Sequence, residues 1–534
     1  MAPFLADEAP VLIAGGGLVG LSAAAFLAQH GIRSLAIERL PQSSPLPRAA
    51  FFHMRTLEMF RSIGIEDAVR TQSAKEFVPE GAIIAMNSLA GTKLADIIGY
   101  LNEGVDAVSP CRRVFLNQPS LEPILRDRAR ESGAAIIQGA EVIDVRQDAS
   151  GVTVKTRSSD GGEVREHRGA YLIAADGAHS KVREALGIGH DGRGVFSNSL
   201  TIYFTADLSP YIGDNAWSLI YVNNPTLHGF FRLNRSSTAG FLGVNVVGDP
   251  TRDPEAAMNA AADISQARLI ELVRAAVGRS DLPVRIDGCS RWRATATVAS
   301  RMRDGRIFIA GDAAHLMPPN GGFGGNTGIH DAHNLAWKLA YVLRGYAGPD
   351  LLDTYEQERK PVARFTAEQA FARYVARTAP WLASRVTPDP LVDDMNIELG
   401  YLYNSKARVH ADPHTTFGMP GSRAPHLWLE RGGQRVSTID LTGRFALLAG
   451  TDGSAWVDAA RTVAREVDGL PLDAFRIGTD LKDPGGGFCA AYGVSDSGAT
   501  LLRPDGFVAW RSAEADRDAL VALRAALRTS LCRH

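Results

Sequence analysis

Two glycine-rich stretches, far apart in this 534-residue chain, carry the residue types that binding and chemistry on a phosphorylated, partly flat ligand require. The first is Gly15-Gly16-Gly17-Leu18-Val19-Gly20, a GxGxxG pattern. Gly15 permits a tight turn, Gly17 lets backbone approach a pyrophosphate, and Gly20 lets the following helix pack close to a sheet. The N-terminus of that helix offers unpaired N–H groups and the positive end of a dipole to phosphate. Glu38 ends the next predicted strand at a spacing that suits a carboxylate accepting hydrogen bonds from a ribose. Strand, loop, helix, strand and acid in register point to an adenine dinucleotide. The fingerprint fits NAD and FAD equally.

The second stretch, "GDAAHLMPPNGGFGGNTG" from Gly311 to Gly328, separates the two. Asp312 stands at the C-terminal end of the apolar strand "RIFIAG", where a doubly wound sheet meets its ligand. A carboxylate there can take the hydroxyls of a ribityl chain. Pro318 and Pro319 stiffen the turn, and the glycines that follow leave no Cβ between backbone and a flat ring. The next helix is predicted to begin near Asn326–Ile329. Its N-terminal N–H groups would favour negative charge on the pyrimidine edge of an isoalloxazine.

The elements that position these loops read as a β–α–β unit over the first forty or so residues, interrupted and then resumed. "RTLEMFRSIGIEDAVR" is predicted as one helix, "QPSLEPILRDRARESGA" as another, and "GVTVKTRSSDGGEVREHRGAYLIAADG" as a hairpin followed by a return to the parallel sheet. From about Phe196 to Arg293 the pattern changes to antiparallel strands separated by Pro, Asn, Ser and Gly. The tail reads β–α–β–β–α. The fold class is therefore α/β: a Rossmann-like dinucleotide-binding domain in two parts, 1–185 and 291–395, with an inserted antiparallel sheet domain at 186–290 and a small α/β domain at 400–534.

A net charge of −2 gives no reason to expect a nucleic-acid or anionic-membrane partner. The apolar N-terminal stretch is broken by three glycines and lacks a basic flank, so it reads as strand–turn–helix and not as a targeting or membrane segment. Cys111, Cys289, Cys489 and Cys532 lie far apart, which removes CxxC redox and zinc-ribbon spacing and argues against a disulfide framework. A cytoplasmic location and no metal are expected.

On "GGGLVG" with Glu38, "DGAHSKVR" at Asp176–Arg183 and "GDAAHLMPP" at Gly311–Pro319, the chain resembles the class A flavoprotein aromatic hydroxylases of the para-hydroxybenzoate hydroxylase fold. It is most similar to the aromatic polyketide hydroxylases and the phenol hydroxylase group, which carry a thioredoxin-like C-terminal domain. The resemblance implies tightly held, non-covalent FAD. Gly15, Gly17, Gly20, Glu38 and Arg39 would take the adenosine and pyrophosphate end, and Arg48, Gln118 and Val142 would add contacts. Gly311 and Asp312 would hold the ribityl chain, and Pro319, Gly322, Gly324, Gly325 and Asn326 the ring. Asp176 would serve FAD and the pyridine nucleotide; from chemistry alone it could instead be a helix cap paired with Arg183. No second GxGxxG with its own strand and acid follows. That fits NAD(P)H, NADPH in preference, as a transient co-substrate.

The resemblance further implies a monooxygenase that uses O2 through a flavin C4a-hydroperoxide to hydroxylate a phenolic or polycyclic aromatic compound. Baeyer–Villiger oxygenation on the same fold is the alternative. Tyr221 and Arg377 match substrate-facing positions. Tyr221 could instead be a half-exposed strand tyrosine, Arg377 a surface helix charge, and His53 a satisfied structural histidine. Phe204, Trp217, Phe230 and Phe231 could line a pocket or form core. The phenol hydroxylase group carries an aspartate near "AAFFHMR" that this chain lacks, which favours a larger or substituted phenolic substrate. A small aromatic compound and O2 are the expected partners, with the chain a monomer or homodimer. Without CxxC, the tail is expected to pack or to make a dimer contact.

Overall fold

The computed structural model describes residues 9–44, 46, 48–403, 409–467 and 469–533; the outer ends of the units 1–185 and 400–534 lie outside them. Val11–Ala14 is fully buried and pairs in parallel with Ser34–Glu38 on one side and Tyr171–Ala174 on the other. Ala135–Gln138 extends the sheet beyond the first neighbour and Ile307–Ile309 beyond the second. The strand order thus reverses beside Val11–Ala14, and a crevice opens at the carboxyl ends there. Both glycine-rich loops leave the sheet at that edge.

The first helix, Leu18–Gln29, is stopped by Gly31 at φ +67° and packs against Gln118–Glu131 and Phe323–Leu343. The stretch predicted as a single helix after Arg55 is two, Met54–Ser62 and Glu66–Glu76. Gly64, at φ +75°, breaks it in a left-handed conformation that a helix cannot continue through.

The large sheet holds eight strands. Its centre is His190–Thr205, Ala239–Val247, Leu227–Leu233 and Trp217–Asn223, all antiparallel neighbours. It also recruits Ala82–Met86, parallel to Trp217–Asn223, and Lys93–Ile98 from earlier in the chain. At the other edge Arg285–Ala299 pairs with His315–Leu316, so the second glycine-rich loop is itself hydrogen-bonded into this sheet. Side chains alternate between faces. Phe204, Phe231, Ile202, Leu242 and Val244 pack on one side against helix Gln266–Val277, forming a closed apolar core. Tyr221 and Phe230 face the other way and pack with Phe51, Phe77 and Phe115.

The tail forms a four-stranded sheet in the order Leu472–Arg476, Phe445–Ala449, Ala499–Leu502, Val508–Ser512. The first pair is parallel and the others antiparallel, with Ser454–Glu466 and Ala519–Ser530 packed together: a thioredoxin-like domain. The β–α–β–β–α reading missed strand Leu472–Arg476 and helix Phe488–Tyr492. Pro471 and Asp473 shorten the apolar run that would have marked the strand. Among the described residues no helix is long and apolar enough to cross a membrane, and no cluster of His, Cys, Asp or Glu is placed to hold a metal.

Candidate active site

The first loop is built as its glycines require. Gly15 has φ +101°, and a Cβ on it would stand 2.2 Å from the Ala175 carbonyl; one on Gly20 would stand 1.9 Å from the Gly15 carbonyl. At Gly17 a Cβ would meet only ordinary contact, with Glu122 Oε1 at 3.7 Å. Glu38 locks the turn, accepting from Gly16 N at 2.7 Å and from Leu40 N at 2.9 Å. A carboxylate has about four lone-pair sites, so capacity remains for a ribose. Helix Leu18–Gln29 starts on Gly17 with no side-chain cap and no acid in its first turn. Its first N–H groups therefore remain available to an anion.

Around this loop, Gln118 accepts from Ala49 N at 3.3 Å and donates to Glu122 Oε1 at 2.7 Å, fixing the segment behind Arg48. Arg39 is exposed just beyond Glu38. Val142 is half-buried on the strand Ala140–Gln147, which bulges between Val142 and Asp144. Asp176 acts as a cap: its carboxylate accepts from Ser180 Oγ at 2.5 Å and Val182 N at 3.2 Å. Its expected ion pair with Arg183 does not occur among the described contacts. Arg183 donates to the carbonyls of Ala178 and Ala313, binding the "DGAHSKVR" turn to the second loop.

The second loop repeats the construction. Asp312 is accessible although protein surrounds it, as at the floor of a cleft. Burial raises its pKa, while His315 and Arg48 pull it down. Helix Phe323–Leu343 starts earlier than expected, on Gly322 at φ +70°, again with neither a side-chain cap nor a first-turn acid. A Cβ on Gly322 would meet Phe51 at 2.9 Å, and one on Gly325 would meet Leu18 and Ala49 at 3.1 Å; Gly324 is in ordinary contact with Met317. Asn326 is a staple: Nδ2 donates to the Phe51 and Gly322 carbonyls, and Oδ1 accepts from His53 N and Thr56 Oγ1. With its amide spent on protein, Asn326 shapes the loop instead of reaching a ligand through its side chain. His53 is buried, and its Nε2 lies 2.9 Å from the Gly321 carbonyl. It is the satisfied structural histidine, kept neutral by burial.

Behind this loop lies a buried ionic group that the sequence reading missed. Asp331 accepts from Gly311 N at 3.1 Å, lies 2.7 Å from His315 Nε2 and is paired with Arg359 at 2.7 Å. Arg359 also donates to the Thr327 carbonyl and to Tyr403. Burial would raise Asp331, yet His315 and Arg359 hold it below the usual carboxylate value. The signal was in "GIHDAHNLAWK": polar residues on every side of a helix that the structure buries all round.

On the sheet face above the loop, Tyr221 is buried, at 4% exposure, and not half-exposed. Phe230 is its cross-strand partner, 6.1 Å away between ring centroids. Phe204 and Phe231 belong to the core on the opposite face, and Trp217 packs against that core. Asn320, between Pro319 and Gly321, donates to the Tyr221 hydroxyl at 3.4 Å and to Thr378 Oγ1 at 3.1 Å. Arg377 is the half-buried last residue of helix Thr354–Arg377, and its carbonyl accepts from Asn223 Nδ2 at 3.4 Å. The structure thus gathers Tyr221, the second glycine-rich loop and the end of the Arg377 helix.

Two uncapped helix N-termini, an accessible aspartate at a strand end and two glycine cradles in contact fit a long dinucleotide with a ring at one end. Residues 8–370 match the FAD binding domain family model and residues 417–533 the aromatic-ring hydroxylase C-terminal model; the chain belongs to this family of FAD-dependent aromatic monooxygenases. It is 49% identical to a 4-methyl-5-nitrocatechol 5-monooxygenase from Burkholderia sp, covering 98% of both chains. It is 39% identical to an aklavinone 12-hydroxylase from Streptomyces purpurascens, covering 98% of this chain and 99% of the other. The solved ternary complex of aklavinone-11 hydroxylase with FAD and aklavinone superposes with a TM-score of 0.92 at 37% identity over 99% of each chain.

Proposed function

We propose that this enzyme hydroxylates the ring of a phenolic or polycyclic aromatic compound, consuming dioxygen and NAD(P)H, with NADPH preferred. The observation that carries the reading is the meeting of the ring-side loop with the substrate-sheet tyrosine, through Asn320 and the Tyr221 hydroxyl. When bound, FAD supplies electron transfer from the pyridine nucleotide and the activation of dioxygen.

The chain supplies the rest. Gly15, Gly17, Gly20, Glu38 and Arg39, with Arg48, Gln118 and Val142, hold the adenosine and pyrophosphate end; Asp312 holds the ribityl chain. Pro319 to Gly325 present backbone to the ring, and the helix N-terminus at Phe323 favours negative charge there. Tyr221 hydrogen-bonds the phenolic oxygen of the substrate. Arg377, at the rim, adds positive charge that favours the phenolate, the stronger nucleophile. The aromatic wall of Phe51, Phe115 and Phe230 orients the ring and excludes water. Relatives named for a nitrocatechol and for aklavinone support substituted phenols of one ring as well as polycyclic ones. None of the relatives cited is named for a Baeyer–Villiger reaction.

The test is a panel of phenols, including 4-methyl-5-nitrocatechol and a hydroxyanthraquinone, screened on the FAD-loaded enzyme for stimulated NADPH oxidation with product analysis. A hydroxylated product with its ring intact supports the reading. Ring expansion, or no stimulation by any member, removes it.

A further inference from the structure

One buried side chain, given no role of its own above, joins the second glycine-rich loop to the large sheet. Asn320 is 3% exposed. The local turn closes without it, through Gly322 N–H donating to the Pro319 carbonyl at 2.9 Å. Its Nδ2 is shared between the Tyr221 hydroxyl and Thr378 Oγ1, while its Oδ1 is buried without a partner. A bare buried polar atom is costly, so an amide placed here for packing alone is a poor solution.

The polarity of this contact matters. With Nδ2 toward Tyr221, the phenol oxygen accepts and its own proton is left to donate elsewhere. With the amide turned over, Oδ1 would take the protons of both hydroxyls, and Tyr221 would offer only lone pairs. We propose that Asn320 is a positioning residue: it holds Tyr221 as an acceptor so that the Tyr221 O–H donates to the phenolic oxygen of the substrate and stabilises the phenolate. The inference rests on the reading that Tyr221 meets substrate.

Other charged and titratable groups surround this contact. His53 lies at the Gly321 carbonyl, and His228 stands opposite Asn223; burial lowers both. Arg377 and Asp394 act on one another, Arg373 pairs with Asp394, and Arg113 pairs with Glu398. Arg232, two residues beyond Phe230, lies over Phe77 and Phe115, and burial pushes it down to about 9. All of these remain in place in the variants below, so their titration cancels between them.

The experiment is a double-mutant cycle on the FAD-loaded enzyme. The pH dependence of kcat is measured with the panel phenol turned over fastest, for wild type, Tyr221→Phe, Asn320→Leu and the double variant. Each single change is expected to move the phenol-linked limb to higher pH by about one unit and to lower kcat about tenfold. In the Tyr221→Phe background, Asn320→Leu should then add less than about twofold. Additive effects, or an unshifted limb in Asn320→Leu, overturn the inference and leave the Tyr221 reading standing. No effect of Tyr221→Phe overturns that reading first. If Asn320→Leu fails to load FAD, Asn320→Ala takes its place; loss of FAD in both makes Asn320 a structural residue and overturns the inference.

Discussion

Val19, in the first glycine-rich loop, packs against Gly311 in the second: a Cβ on Gly311 would come within 2.7 Å of Val19 Cγ2. Gly328 meets the same side chain, with its Cβ position 2.6 Å away. The two loops are therefore halves of one cradle, and the helices that leave them start side by side without caps. Gly311→Ala should strain both the loop, at φ +61°, and the contact. The left-handed backbone alone costs about 1–2 kcal/mol. The expected result is a lowered melting temperature and at least tenfold weaker FAD binding, read by flavin fluorescence on dilution.

Glu38 closes the first loop through Gly16 N, and we assign it to the adenosine end of FAD. Glu38→Gln keeps an acceptor for Gly16 and should weaken FAD binding modestly. Glu38→Ala should weaken it by a further factor of ten or more, since it leaves the Gly16 and Leu40 N–H groups without their acceptor. Titration of apoenzyme with FAD distinguishes the two; equal affinities would separate Glu38 from cofactor binding.

Much of this could be read from residue order. The β–α–β unit, Glu38 and Asp312 at strand ends, and the hairpin before Tyr171–Ala174 follow from local patterns of period and turn chemistry, and the structure has them in place. The strands Ala82–Met86 and Lys93–Ile98 were not visible as parts of the large sheet, because Ala82–Met86 meets Trp217–Asn223 only more than a hundred residues later, and Lys93–Ile98 joins the sheet through Ala82–Met86. The faces of Phe230 and Phe231 could not be assigned before the sheet's register was known. Asn320 carries no sequence signal of its own between Pro319 and Gly321; only the fold brings Tyr221 and Thr378 to it. Asp176 and Asn326 carry family motifs, yet their side chains are used on protein.

The thioredoxin-like domain is riveted to the flavin domain by buried charge. Arg423 pairs with Glu58, which also holds Arg55 and Ser109; Arg503 pairs with Glu358, which Lys338 also reaches. Burial would raise Glu58, but Arg423 and Arg55 hold it at about 2 against an ordinary 4.5. A depressed carboxylate stabilises above its unfolded pKa. This contribution is therefore full above about pH 4.5 and lost as pH falls toward 2. Arg423→Met, which leaves part of that charge unpaired, should cost about 3–5 kcal/mol and move acid unfolding to higher pH. Near-UV circular dichroism against pH checks this; an unchanged acid midpoint would count against the rivet.

Arg377 is half-buried at the end of helix Thr354–Arg377, and its charge lowers Asp394. Arg377→Met should raise KM for an ionisable phenol several-fold, lower kcat less, and leave FAD content unchanged. If KM and kcat both match wild type, Arg377 is only a helix-end charge.

The central claim is that one FAD, held at both loops, hydroxylates a phenolic ring beneath Tyr221. It is tested most directly by analysing the product of the FAD-loaded enzyme with NADPH and isotopically labelled dioxygen across the phenol panel, alongside Asp312→Ala. The account predicts one labelled oxygen on an intact ring in the wild type, and loss of FAD together with product in Asp312→Ala. A fully flavin-loaded, active Asp312→Ala enzyme, or a product with no oxygen from dioxygen, would contradict it.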